Sequence, residues 1–207
     1  MAEIILYASI ASRSIAAYWI LEELGVPYRV VDTDLLEGKQ KRPEYLAINP
    51  DARVPAINID GVVVTERPAI IGLLADRFGY GTLAPKIEAP ERGPYLKWLT
   101  YATGVLDPAI AVHLTGLKEP LKEQTWDGID HVEKRLADTL TSPGPWLLGD
   151  WFTAADVMIG GIVVAVVYNK LIPEKEAIWD YSRRIMKRPA FQRARDLTWP
   201  PSKFPTG

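Results

Sequence analysis

A main-chain grip for an extended peptide, with a carboxylate for its free amine, can be read between residues 49 and 71. Asn49 to Ile71 reads as a loop, a strand with proline at its start, a two-residue turn, a second strand and an acidic helix start. The turn is Asp60-Gly61; Asp-Gly between apolar runs is a strong hairpin signal, because a type I′ turn needs positive φ at both central residues. Pro55 has no N–H to give a β-ladder, so its amide side must face away from the sheet. The Val54-Pro55 bond is a good candidate for cis. An exposed Val54 main chain beside such a proline, followed by Glu66 at a helix N-terminus, would hold a peptide-like ligand by its backbone and its amine.

The elements around this segment must place it on a scaffold. Residues 3–7 read as a strand, 8–13 as a polar loop, and 14–25 as a helix with Trp19, Leu21 and Leu24 inward and Gly25 as its stop. Pro27 to Asp32 reads as a second strand, and Glu37 to Leu46 as polar loop and short helix. The hairpin follows, then a helix from about Glu66 to Phe78 ended by Gly79 and Gly81. The order β-α-β-α-β-β-α predicts a mixed sheet with helices on its faces. Residues 81–90 have the composition of a linker. Beyond it the patterns are helical, over about 91–106, 119–140, 153–169, 174–187 and 189–196. The expected class is therefore α/β plus all-α: a domain over 1–80, a linker over 81–90, and a helical domain over 91–207. Thr153 and Asp156 have the spacing of a capping box before an apolar run.

Composition narrows the function. The 207-residue chain has a net charge of −2, which argues against a nucleic-acid footprint. It has no cysteine, hence no disulfide, thiolate metal site or cysteine nucleophile. His113 and His131 are too far apart and too lightly supported to suggest a metal. The start, Met1 to Tyr7, reads as a strand rather than a signal peptide, and the apolar run 157–168 is too short to span a bilayer. A cytoplasmic protein without membrane or nucleic-acid partners is expected.

Asn49-Pro50, Arg53-Val54-Pro55, Asp60-Gly61 and Glu66 with Ala69-Ile70, in this order, resemble the glutathione-binding half of the glutathione S-transferase family. The chain departs from that pattern at Arg67-Pro68, where Ser-Ala or Ser-Arg is usual. The Thr153–Asp156 box and Arg188 to Ala194 are similar to two further family signatures. The pattern over the first helix is similar to a bacterial and fungal theta-like branch of the serine type. The resemblance implies a thioredoxin-like domain followed by an all-helical one, a homodimer, and glutathione as co-substrate.

It also implies site residues. A free thiol has a pKa near ~8.5, so conjugation needs hydrogen bonds or charge that favour the thiolate. The serine-type branch uses a hydroxyl at the start of the first helix, where backbone amides also favour an anion. Counting from Tyr7 selects Ser12; aligning from Glu22-Glu23 and Gly25 brings Arg13 or Ser14 to that position, and Ser9 is a further choice. Val54 and Pro55 are expected at the cysteinyl part of glutathione, and Glu66 with Arg67 at the γ-glutamyl end. Gln40 and Arg53 are expected at the glycyl carboxylate, with Lys39 as a substitute for Gln40. Tyr101, Val105 and His113 are candidates for a pocket holding a small, largely apolar electrophile. The Trp199-Pro200-Pro201 tail either covers that pocket or packs on the surface.

A glutathione transferase is the leading function. One alternative is glutathione-dependent reduction of peroxides or disulfides on the same fold, in which two glutathione molecules supply the sulfur. Another is a non-catalytic binding or regulatory module that kept the fold, which Arg67 keeps open.

Overall fold

A computed structural model describes residues 2–116, 128–141, 144–172 and 175–199. They form two compact units, one of residues up to Gly79 together with Arg188 onward, the other from Tyr80 to Lys187.

The first unit is built on a four-stranded sheet. Strands β1 (Ile4–Ala8), β2 (Arg29–Asp32), β3 (Ala56–Ile59) and β4 (Val62–Val64) lie in the order β2-β1-β3-β4. β1 pairs parallel to β2 and antiparallel to β3, and β3 pairs antiparallel to β4 through the Asp60-Gly61 turn. Both turn residues have positive φ, 53° and 87°, as the Asp-Gly pair predicts. A parallel pair needs a crossover, and helix α1 (Ile15–Leu24) supplies it. Along β1 the residues alternate, with Ile4, Leu6 and Ala8 buried.

Helix α1 ends where Gly25 takes φ 62° and returns its N–H to Leu21. It packs against α3 (Arg67–Phe78) and the last helix, α9 (Pro189–Thr198). Trp19 meets the Phe191 ring edge-on at 4.9 Å. Arg188 grips Glu23 through two hydrogen bonds of 2.7 and 2.8 Å, and Arg193 reaches Glu22 at 2.6 Å. This differs from the expected helical domain over 91–207: among the described residues, Arg188 to Trp199 group with the first unit. The cause is the apolar face of α1, which α9 covers.

The second unit is helical. It comprises α4 (Arg92–Tyr101), α5 (Asp107–Thr115), α6 (Ile129–Thr141), α7 (Ala154–Tyr168) and α8 (Glu176–Met186). The helix expected to stop at Leu106 continues instead through a π-helical turn, Ala102–Leu106, into α5. Asp107 N–H reaches back five residues to Ala102, and Pro108 then falls in the first turn of α5, where its missing N–H is tolerated. The expected helix over 119–140 corresponds to α6, and its first part lies outside the described residues. Apolar α7 is the core of the unit, with eleven buried residues from Ala154 to Val167. Its capping box is present: Thr153 N–H donates to Asp156 at 2.9 Å, and Ala155 N–H donates to Thr153 Oγ1 at 3.3 Å. Among the described residues no helix is long and apolar enough to cross a membrane.

Candidate functional site

Three serines meet in the turn between β1 and α1. Ser12 Oγ donates to the Ser9 carbonyl at 2.7 Å, lies 2.9 Å from Ser14 Oγ, and accepts from Ser14 N–H at 3.1 Å. Ser14 Oγ accepts from Ser9 N–H at 3.3 Å. Each hydroxyl has one proton to give. With Ser12's on the Ser9 carbonyl, Ser14's runs to Ser12, giving a relay Ser14→Ser12→Ser9. Ser14 is fully buried and Ser9 nearly so, while Ser12 is half-buried. Ser9 Oγ accepts from Leu35 N–H at 3.3 Å, tying the turn to the chain after β2. Arg13 is exposed. Ala11 adopts φ 49° and donates its N–H to the Thr198 carbonyl at 2.9 Å, so the end of α9 also holds the turn.

The Val54 main chain is held at its preceding peptide. The Arg53 carbonyl accepts from the phenol of buried Tyr45, on the short helix α2 (Pro43–Leu46), and from Asn49 Nδ2 at 2.9 Å. Asn49 is itself buried, and its Oδ1 accepts from Asp51 N–H at 3.1 Å. Val54-Pro55 is cis, Pro55 is buried, and the register of β3 against β1 begins only at Ala56, so Val54 lies outside the ladder. The side chain of Arg53 is exposed. Tyr45 and Asn49 were not among the expected site residues. Asn49 stood in the motif as part of a pattern, and nothing local in the sequence signals a phenol eight residues before the carbonyl it holds.

Glu66 ends the hairpin and precedes α3. It is exposed, with φ 66° and ψ 122°, and its side chain caps nothing. A non-glycine residue at such angles costs on the order of 1–3 kcal/mol and persists where the surroundings over-determine it, often at ligand clamps. Arg67 is buried, and Pro68 follows it in the first turn.

Lys39 and Gln40 lie in a 3₁₀ turn, Lys39–Lys41. Lys39 Nζ already sits 3.3 Å from Asp32 and 3.2 Å from Glu37, and these carboxylates, Glu37 first, push its pKa up. Gln40 Oε1 is buried without a hydrogen bond. A cavity of about 260 Å³ lies nearby, lined by Tyr7, Thr33, Lys39, Arg42, Tyr45 and Ile48. It shares Lys39 with the candidate set but none of the serines, Val54 or Glu66. Tyr7 lines it, its ring edge-on to Tyr45 at 6.1 Å.

The residues expected for the electrophile pocket all belong to the second unit. Tyr101 and Val105 are half-buried at the π-helical turn, with the Tyr101 ring 5.1 Å from Trp98, and His113 is exposed on α5. The tail from residue 200 lies outside the described residues.

The model of the family described as "Glutathione S-transferase, N-terminal domain" matches residues 2–76. Glutathione S-transferase F10 of Arabidopsis thaliana is 32% identical over 164 residues, covering 73% of this chain and 75% of that protein. The disulfide-bond oxidoreductase YfcG of Escherichia coli is 30% identical over 188 residues, covering 82% and 84%. Among solved structures, the theta class glutathione S-transferase of Xanthomonas axonopodis pv. citri, with glutathione bound, superposes with a TM-score of 0.76 at 25% identity, covering 94% of this chain and 97% of that one. With the motif segment, sheet order and capped central helix already described, these likenesses make the chain a member of the glutathione S-transferase family.

Proposed function

We propose that the protein is a glutathione transferase that joins the glutathione sulfur to small, largely apolar electrophiles, with Ser12 as the hydrogen-bond donor to the thiolate. The observation that carries this reading is the serine relay. Ser14 is buried and occupied by Ser9 N–H and Ser12, whereas Ser12 is accessible. An arriving sulfur anion needs only a rotation of the Ser12 O–H away from the Ser9 carbonyl, while Ser14 continues to donate into Ser12 and strengthens its O–H as a donor. The amides at the start of α1 add to the stabilisation of the anion. The thiolate then attacks the electrophile, a carbon–sulfur bond forms, and the leaving group departs with the electron pair.

The tripeptide is held around that sulfur. Val54 N–H and C=O exchange hydrogen bonds with the cysteinyl residue, with Pro55 behind it. Glu66 takes the γ-glutamyl amine. Pro68 offers no N–H, so the Arg67 and Ala69 N–H groups at the start of α3 receive the γ-glutamyl carboxylate. Gln40 and Arg53 serve the glycyl end; Lys39, engaged by two carboxylates, is the lesser choice. Arg13 is exposed and acts at most through long-range charge. Tyr101, Val105 and His113 remain the proposed contacts of the electrophile, and the assembly is a homodimer.

A second reading has its own support, the 30% identity to a disulfide-bond oxidoreductase. A chain without cysteine would draw both sulfurs from glutathione. One thiolate attacks a disulfide and expels a thiolate, and a second glutathione resolves the mixed disulfide to oxidised glutathione. Calorimetry with glutathione, followed by parallel assays on electrophiles and on disulfides and peroxides, separates the readings. Glutathione is expected to bind, and Glu66→Ala to weaken it by roughly 1–3 kcal/mol, the range for a charged partner left unpaired. No binding by the wild type overturns both readings; turnover of disulfides alone selects the second.

A further inference from the structure

The peptide between Arg53 and Val54 is held on one side and open on the other. Its carbonyl accepts two hydrogen bonds, from the phenol of Tyr45 and from Asn49 Nδ2 at 2.9 Å. Its N–H, on Val54, donates to nothing among the described residues, and Val54 lies ahead of the β3 register that starts at Ala56. This peptide is trans, so the two groups lie in one plane and point in opposite directions. Fixing the carbonyl therefore aims the N–H.

Both donors are themselves fixed. Tyr45 is 6% exposed and Asn49 3%. Asn49 N–H donates to the Tyr45 carbonyl at 2.8 Å, its carbonyl accepts from Ala52 N–H at 3.0 Å, and its Oδ1 accepts from Asp51 N–H at 3.1 Å. Burial pushes the Tyr45 pKa from 10.0 up to about 12, so the phenol keeps its proton, and its place as a donor, around neutral pH. One hydrogen bond already satisfies a carbonyl. The second narrows its orientation, and hydrogen bonds in series polarise one another, so a carbonyl bonded twice makes the N–H of its own peptide a stronger donor. We infer that Tyr45 and Asn49 are positioning residues for glutathione, acting through the Arg53–Val54 peptide to aim and strengthen the Val54 N–H that meets the cysteinyl carbonyl. This rests on the proposed glutathione site and gives a task in it to two side chains outside the set expected to touch the tripeptide.

The test is calorimetry of wild type and Tyr45→Phe with glutathione and with γ-glutamylcysteine, beside a thiolate absorbance titration of each complex against pH. Phenylalanine keeps the ring and leaves Asn49 on the carbonyl. Tyr45→Phe should weaken glutathione about fivefold, the size of one lost hydrogen bond, with the pKa of the bound thiol unmoved. γ-Glutamylcysteine lacks the glycyl residue but still offers the Val54 N–H a cysteinyl acceptor, so it should lose affinity by the same factor. If Tyr45→Phe fails to fold, Asn49→Asp, which has no Nδ2 donor but keeps Oδ1 for Asp51 N–H, carries the test with the same expectations. A wild type that binds neither ligand would overturn the glutathione site and this role together. Wild-type binding that Tyr45→Phe leaves as tight would keep the site and overturn the role. A loss confined to glutathione would place the effect at the glycyl end, and a thiol pKa that rises with the loss would place it at the serine turn; either overturns the role.

Discussion

Ser12 and Ser14 lie two residues apart; the sequence favours Ser12 and leaves Ser14 open, and the different hydrogen bonds of the two support different proposed tasks. Ser12→Ala is expected to raise the pKa of enzyme-bound glutathione toward its free value near ~8.5 and to slow conjugation at neutral pH, with little change in affinity. Ser14→Ala removes the acceptor of the Ser9 N–H in a buried turn. It should therefore cost about 1–3 kcal/mol of stability, while its effect on the thiol stays indirect, through a freer Ser12. Thiolate absorbance titrated against pH, alongside thermal unfolding of both variants, distinguishes them. A shifted titration in Ser14→Ala with none in Ser12→Ala would reverse the assignment. What the sequence could not show here is direction: three hydroxyls within six residues are all plausible donors until burial decides which one faces out.

At the scale of elements, the buried carboxylate of the capping box is the most exposed to test. Asp156 accepts from Leu147 N–H, Thr153 N–H and the Tyr181 phenol at 2.9, 2.9 and 3.1 Å. Complete burial pushes its pKa from 3.8 up to about 6, against the pull of those hydrogen bonds. In the folded chain it thus holds its proton over a range in which the unfolded chain has released it. Its contribution is fully present below about pH 4 and is lost as pH rises to about 6, a change of roughly 3 kcal/mol for this group taken alone. Asp156→Asn removes that titration, so the stability gap between wild type and variant should be wider at pH 4 than at pH 7. Denaturant unfolding at both values checks it, and a gap that widens toward pH 7 would show that the hydrogen bonds outweigh desolvation. The box itself was legible because Thr-x-x-Asp before an apolar run is a local signal. The passage of the helix through Pro108 was not, because a π-helical turn leaves no mark in composition and proline reads as a stop.

The order of strands and helices up to Phe78 was legible for the same reason, each element having its own period and its own stop. The allegiance of α9 was not, since a helix's pattern says which face is apolar and not which neighbour covers it. The proposed homodimer lacks a sequence marker too, and sedimentation at micromolar concentration should give twice the chain mass; a monomer would contradict it.

If α9 is part of the first unit, its packing on α1 should govern the stability of the scaffold that holds the serine turn. Phe191 is 2% exposed against Trp19, whereas Leu197 on the same helix is 49% exposed. Phe191→Ala should cost about 3–5 kcal/mol and Leu197→Ala no more than a surface change of about 0.5 kcal/mol. On the proposed role of Ser12, the Ala11 N–H to Thr198 carbonyl bond links this packing to function, because loosening α9 would free the serine turn. Phe191→Ala, assayed under conditions where it remains folded, should therefore raise the pKa of bound glutathione, while Leu197→Ala should not. Equal stability losses in the two variants would deny α9 its place against α1. A large loss in Phe191→Ala with an unmoved thiol pKa would leave the packing intact but sever its link to the serine turn.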